Sequence, residues 1–241
     1  EGPIAMGALR NPVSIAIAKQ MERRAYFGAS HVVALSPGMR DGILATGYPA
    51  AKVSVIPNSS DVDLFRVPTE RGKSFLRRNP YLADGPLVTY TGTLGAINNV
   101  KYLAEVAAEM MHLDPSVRFL IVGEGREEES IRNYAREVGV LDRNLWMMPC
   151  MPKKDIAAVL SATTVAISLC TDMPFLQHNS ANKVFDAFAA QRPVAINHKG
   201  WIADILDETG AGVVLPIQNS AAAAKQLIQF LRDTSRLKQA S

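Results

Sequence analysis

An open α/β sheet of mainly parallel strands, with helices on both faces, is the fold class that this chain of 241 residues predicts. Three observations point to it. From residue 86 onward, short strands and helical stretches alternate in strict order. The strands read as unbroken apolar runs, which belong to sheets buried on both faces, whereas half-exposed strands would alternate. The composition, 48% hydrophobic and 20% charged, is that of an ordinary folded domain and not of a disordered chain.

Taken in order, Val13 to Phe27 has helical apolar spacing with Lys19, Arg23 and Arg24 interspersed, an amphipathic helix with a basic outer face. "HVVALS" (31–36) is a short buried strand, "PGMRDGILATGY" (37–48) a helix closed by Gly47, and "KVSVIP" (52–57) a second strand. "NSSDVDLFRVP" (58–68) is rich in turn formers and reads as a linker. Then come strand 86–94 ending in a glycine loop, a helix from Val100 to Met111, strand 117–123, a helix from Glu127 to Val138, strand 144–150 and a helix from Lys153 to Ala162. Strand 165–170, a helix opening near Ser180 to Asn182, strand 193–197, a short helix at Ile202 to Glu208 and strand 212–216 complete the series, with "AAAA" (221–224) inside a terminal helix. The expected division is 1–57, a linker over 58–85, an α/β domain over 86–218 and a C-terminal helix over 219–241.

Several classes are disfavoured. A formal charge of +3 is too small to indicate nucleic acid, and aromatic and basic residues are not interleaved. No apolar run approaches the ~20 residues that a spanning helix needs, so the chain reads as soluble and cytoplasmic. Lys19, Arg23 and Arg24 favour a solvated face, with peripheral contact to anionic lipid at the membrane surface as the alternative. Cys150 and Cys170 end apolar runs and read as buried thiols of a reducing compartment, with a disulfide or metal pair as the alternative; no metal is expected, because further ligands are missing. The opening "EGPIAMGALRNP" lacks a signal peptide's apolar region and does not begin with Met, as expected of a fragment.

In an open parallel sheet the ligand sits beyond the carboxyl ends of the strands. The loop "TGTLGAINN" (91–99) places Gly92 and Gly95 between a strand and a helix, where backbone can approach an anion; a plain tight turn fits the residues equally well. Gly123 in "VGEG" ends the next strand, again without a full dinucleotide motif, and Met151 stands where an apolar wall could flank a planar base. At the helix that opens near Asn182, Lys183 lies in the first turn and Asp186 one turn on. Two readings stand for that pair: a surface ion pair worth less than ~1 kcal/mol, or Lys183 on phosphate oxygens and Asp186 on ribose hydroxyls.

Four stretches carry a family likeness: "ASHVVALSPGMRDGILATGYPAAKVSVIPNSSDVDLF", "YTGTLGAINNVKYLAEVAAEM", the run from "RFLIVGEGREEES" to "TTVAISL", and "NKVFDAFAAQRPVAI". In this order, over residues 29 to 216, they resemble glycosyltransferase family 4, the last of them in its bacterial surface-polysaccharide form. The resemblance implies a GT-B architecture of two Rossmann-like domains, of which this chain would hold the C-terminal, donor-binding one. It also implies retaining transfer of a sugar from a nucleotide-sugar donor, a uridine diphosphate sugar in the commonest case, to a glycan or lipid-linked acceptor, with no metal or other cofactor. By the same likeness Lys183 matches a phosphate contact and Asp186 the second acidic position of the family's Glu-x7-Glu motif. The chain departs from the family where His178 occupies the first acidic position, and where Thr93 and Asn98 replace an arginine and a lysine of the glycine loop. Residues 1–57 match only the closing elements of the N-terminal domain, so the family's catalytic histidine is expected outside this chain. Alternatives are a donor-binding subunit without its own catalysis and a sugar-nucleotide epimerase of the same architecture. A nicotinamide dehydrogenase is least favoured, since no loop has the full dinucleotide pattern.

Overall fold

A computed structural model describes residues 2–7 and 9–240. Glu1 and Ser241, the ends of the expected first and last segments, lie outside the described residues. The chain divides into two compact units, one of residues 1–58 with 173–180 and one of residues 59–172 with 181–241.

The smaller unit is built on two parallel strands, β1 (Val32–Ala34) and β2 (Val53–Val55), joined through the helix Pro37–Leu44. Ser36 starts that helix by accepting a hydrogen bond from the Met39 amide at 3.2 Å. Ala34, Ile43, Tyr48 and Val53 form its core. The stretch expected as a buried strand is shorter and more open: Val33 is 51% exposed. The helix Pro12–Gly28 begins at Asn11, whose side chain accepts from the amides of Val13 and Ser14. None of its residues is buried, so its apolar row Val13, Ile17 and Met21 is as open as Lys19, Arg23 and Arg24. Residues 173–180, with the 3-10 turn Pro174–His178, also belong to this unit.

The larger unit contains a six-stranded parallel sheet: β3 (Leu87–Thr91), β4 (Arg118–Val122), β5 (Leu145–Met148), β6 (Val165–Ser168), β7 (Val194–Ile196) and β8 (Gly212–Val214), in the order β5-β4-β3-β6-β7-β8. Helices cover both faces, as the continuous apolar strands require. Val88, Tyr90, Phe119, Ile121, Val165 and Ile167 face one way, into a core shared with the helices Lys101–Leu113, Glu128–Glu137 and Ser220–Arg232. Leu87, Leu120, Val122, Ala166, Val194 and Ile196 face the other way, against the helices Thr69–Arg78, Lys153–Ala162, Asn182–Ala189 and Trp201–Thr209.

Residues 58–85, expected as a linker, are mostly part of this packing. The helices Val62–Phe65 and Thr69–Arg78 bury Phe65 and Phe75, and a Cβ on Gly72 would stand 2.6 Å from the Ser161 backbone carbon, so Thr69–Arg78 packs closely on the helix Lys153–Ala162 at that glycine. The expected terminal helix is two, Ser220–Arg232 and Thr234–Gln239, the second started by the Asp233 carboxylate accepting from the Arg236 amide. Of the two thiols expected in the core, Cys170 is buried and Cys150 is exposed. β5 is an edge strand that ends at Met148, so the chain has left the sheet before Cys150. No helix among the described residues is long and apolar enough to cross a membrane.

Candidate functional site

Counted from β3, the strands of the larger sheet run third, second, first, fourth, fifth, sixth, so the winding direction reverses between β3 and β6. Connections leave these two neighbours towards opposite edges and open a crevice at their carboxyl ends. The loop after β3 carries Gly92 and Gly95; the chain leaving β6 leads, after residues 173–180, into the helix Asn182–Ala189.

The glycine loop is held from behind by the loop after β4. The amides of Gly92 and Leu94 donate to the carbonyls of Val122 and Glu124 at 2.9 and 2.8 Å, and Leu94 accepts from the Glu127 amide at 3.0 Å. A Cβ on Gly123 would run into the Gly92 carbonyl oxygen, and one on Gly125 into Leu94. With the even-numbered amides engaged, those of Thr93 and Gly95 have no acceptor among the described residues. Gly92 has φ +138°, and Lys183 Nζ stands 3.1 Å from where its Cβ would be.

Lys183 therefore ends at the glycine turn. Its Nζ donates to Tyr90 Oη at 2.7 Å and lies 4.1 Å from the centre of that ring. The residue as a whole is half-buried, the ammonium end being the deep part, and burial lowers its pKa from the ordinary 10.5 to about 8. Among the described residues no carboxylate lies within ion-pair distance of this ammonium. The neighbouring Cys170 thiol is pushed up to about 12, mainly by burial, so it supplies no negative charge near neutral pH. Asn197 holds the backbone there, accepting from the Cys170 amide and donating to its carbonyl, both at 2.9 Å.

Asp186 points elsewhere. Its Oδ1 accepts from Ser60 Oγ at 2.6 Å and faces Lys153 Nζ at 3.2 Å, and its side chain is 14% exposed. Lys183 and Asp186 thus share a helix but no ion pair. Asn182 is exposed at the helix start, where no side chain caps the first amides. Thr93 contributes its carbonyl, which accepts from both Tyr90 Oη (2.8 Å) and Asn98 Nδ2 (2.9 Å). Met151 is half-buried against the cluster of Phe75, Leu120 and Val122. His178 belongs to the smaller unit, where its ring lies against Gly38 too closely for any Cβ there. Tyr90, Ser60, Lys153 and Asn197 were not singled out by the sequence: Tyr90 is hidden in an apolar run, and the others meet their partners only through the fold.

A glycine turn and a buried ammonium at a switch point, without a dinucleotide motif, fit many α/β proteins, and comparison narrows the choice. Residues 85–233 match the family described as glycosyl transferases group 1. The chain belongs to this family. Among relatives of this glycosyltransferase chain, the alpha-D-kanosaminyltransferase of Streptomyces kanamyceticus is 23% identical over 218 residues, covering 90% of this chain and 55% of the relative. The D-inositol 3-phosphate glycosyltransferase of Segniliparus rotundus is 32% identical over 126 residues, 48% of this chain and 27% of the relative. The chain spans at most about half the length of the curated relatives it matches. In fold it is similar to Anabaena HepE, solved with UDP-glucose, at a TM-score of 0.74 and 17% identity, covering 88% of this chain and 57% of that one. WaaG, a glycosyltransferase involved in lipopolysaccharide biosynthesis, gives 0.70 and 15%, covering 86% and 56%.

Proposed function

We propose that this glycosyltransferase chain is the donor-binding part of an enzyme that moves a hexosyl group, with retention, from a UDP-sugar to a glycan or lipid-linked acceptor of surface-polysaccharide type. The observation that carries this reading is the Lys183 ammonium at the glycine turn, buried without a carboxylate beside it. A charge held in that state lacks an anion, and a diphosphate supplies one. The free amides of Thr93 and Gly95 and the uncapped start of the helix Asn182–Ala189 would share the load. As the glycosidic bond breaks, negative charge grows on the leaving diphosphate, and these preorganised donors stabilise it more than they stabilise the intact donor. The choice of uridine is supported by the HepE complexes with UDP and UDP-glucose. Oδ1 of Asp186 is engaged, which leaves Oδ2 for a ribose hydroxyl; Met151 would flank the base.

The test is calorimetric titration with uridine, guanosine and adenosine diphosphates and their sugars: a preference for the uridine series is expected, and no binding by any of them overturns the reading. Asp186→Asn should weaken uridine and UDP alike, whereas a loss confined to UDP would take Asp186 off the ribose. Gly95→Ala separates fold from site. Gly95 has φ −131°, and a Cβ there meets only Thr93 Cγ2, at 3.9 Å. Thermal unfolding should move by less than ~0.5 kcal/mol, while a methyl group projecting towards the phosphates should lower UDP affinity about tenfold.

A further inference from the structure

We propose that Tyr90 is the positioning residue of this site: its hydroxyl fixes the Lys183 ammonium against the glycine turn, so that the remaining ammonium protons meet the diphosphate. The inference rests on the donor-site reading above and assigns a role to a side chain that reading leaves unused.

Tyr90 is fully buried, and its one hydroxyl proton is given to the Thr93 carbonyl at 2.8 Å. Towards Lys183 its oxygen can therefore only accept, and Nζ donates to it at 2.7 Å. Asn98 donates to the same carbonyl at 2.9 Å, so a chain of four groups runs from the loop to the ammonium. Direction matters here. Because the Thr93 carbonyl takes the phenol's proton, the oxygen's lone pairs are left for the ammonium, and that fixed partner restrains an otherwise freely rotating lysine stem. The ring adds a second hold, its face lying 4.1 Å from Nζ.

The groups that face Nζ are few. From β3 comes Tyr90, and from the end of β6 the Cys170 thiol; Asp172 acts on that thiol, and Asp186, on the helix of Lys183 itself, is held by Ser60 and Lys153. Burial keeps both phenol and thiol neutral through the physiological range. The ammonium is then the group that titrates near pH 8. An anion binds the charged form, so UDP affinity should fall as pH rises past about 8.

Tyr90→Phe keeps the ring and removes the oxygen. UDP affinity at pH 7, by calorimetry, should drop about tenfold. The pH at which affinity begins to fall should move down by about half a unit to one unit, because the charged lysine has lost an acceptor. Asn98→Ala takes the other bond from the Thr93 carbonyl without touching Lys183, and its pH onset should stay in place. If Tyr90→Phe weakens UDP with the onset unmoved, the phenol only stiffens the loop and the proposal fails. Unchanged affinity and onset overturn it as well. A failure of the donor site itself looks different: Lys183→Met would then bind UDP as the original chain does.

Discussion

Lys183→Met is expected to weaken UDP binding by one to two orders of magnitude, the value of a charge-assisted contact, and at the same time to stabilise the unliganded chain. The two effects have one cause. Burial lowers the lysine pKa from 10.5 to about 8, and that fall corresponds to a penalty of about 3 kcal/mol on the charged form. Below pH 8 the lysine is protonated in the folded and the unfolded chain, and the penalty stands in full. Between about 8 and 10.5 the folded chain has released the proton while the unfolded chain keeps it. The unfolded state then binds more protons, so stability rises with pH across that window and levels off above it. Methionine fills a similar volume without a charge. Urea unfolding at pH 7 and pH 10 should therefore show a gain for the original chain and a flat response from this group's contribution in the variant. A variant that is less stable at pH 7, or that retains its UDP affinity, would contradict the account.

Gly123→Ala should cost about 3 kcal/mol of stability, as overpacking against backbone does, and should carry UDP binding down with it. The glycine sits at the end of β4, its amide donating to the Met148 carbonyl at 3.1 Å, with the Gly92 carbonyl pressed against its open side. A methyl group has nowhere to go, since the obstacle is backbone and not the tip of a flexible side chain. The variant must push Gly92 away, and Gly92 is the residue over which Lys183 Nζ rests. Melting temperature and UDP titration should both fall, in contrast to Gly95→Ala, where only the titration changes.

The strands β3 to β8 were legible because each is an apolar run between turn formers, and a parallel sheet buries both sides of every strand. Their order was not, because pairing β3 with β6 depends on residues far apart in the chain. Residues 58–85 read as a linker because Asn, Ser, Asp and Pro dominate their start, yet Phe65 and Phe75 are the anchors that bind the segment to the sheet. The helix start near Asn182 was legible, and from its first turn the Lys183 side chain reaches the glycine turn. Asp186 was harder. Spacing of three puts it beside Lys183 on paper, but its carboxylate is drawn to Ser60, 126 residues away, and to Lys153. No periodicity reports such a partner. Tyr90 shows the complementary limit: its ring marks a core position correctly, while the work proposed for it is done by one oxygen atom.

The two cysteine thiols of the chain stand in opposite surroundings. Cys150 is open to solvent in the loop beside Met151, and its thiol donates a hydrogen bond to Glu124, which raises its pKa and slows alkylation at neutral pH. Cys170 is enclosed at the end of β6. A maleimide dye thus tags Cys150 alone while the sheet is intact and Cys170 as well once it opens, which makes the chain its own covalent gauge of unfolding.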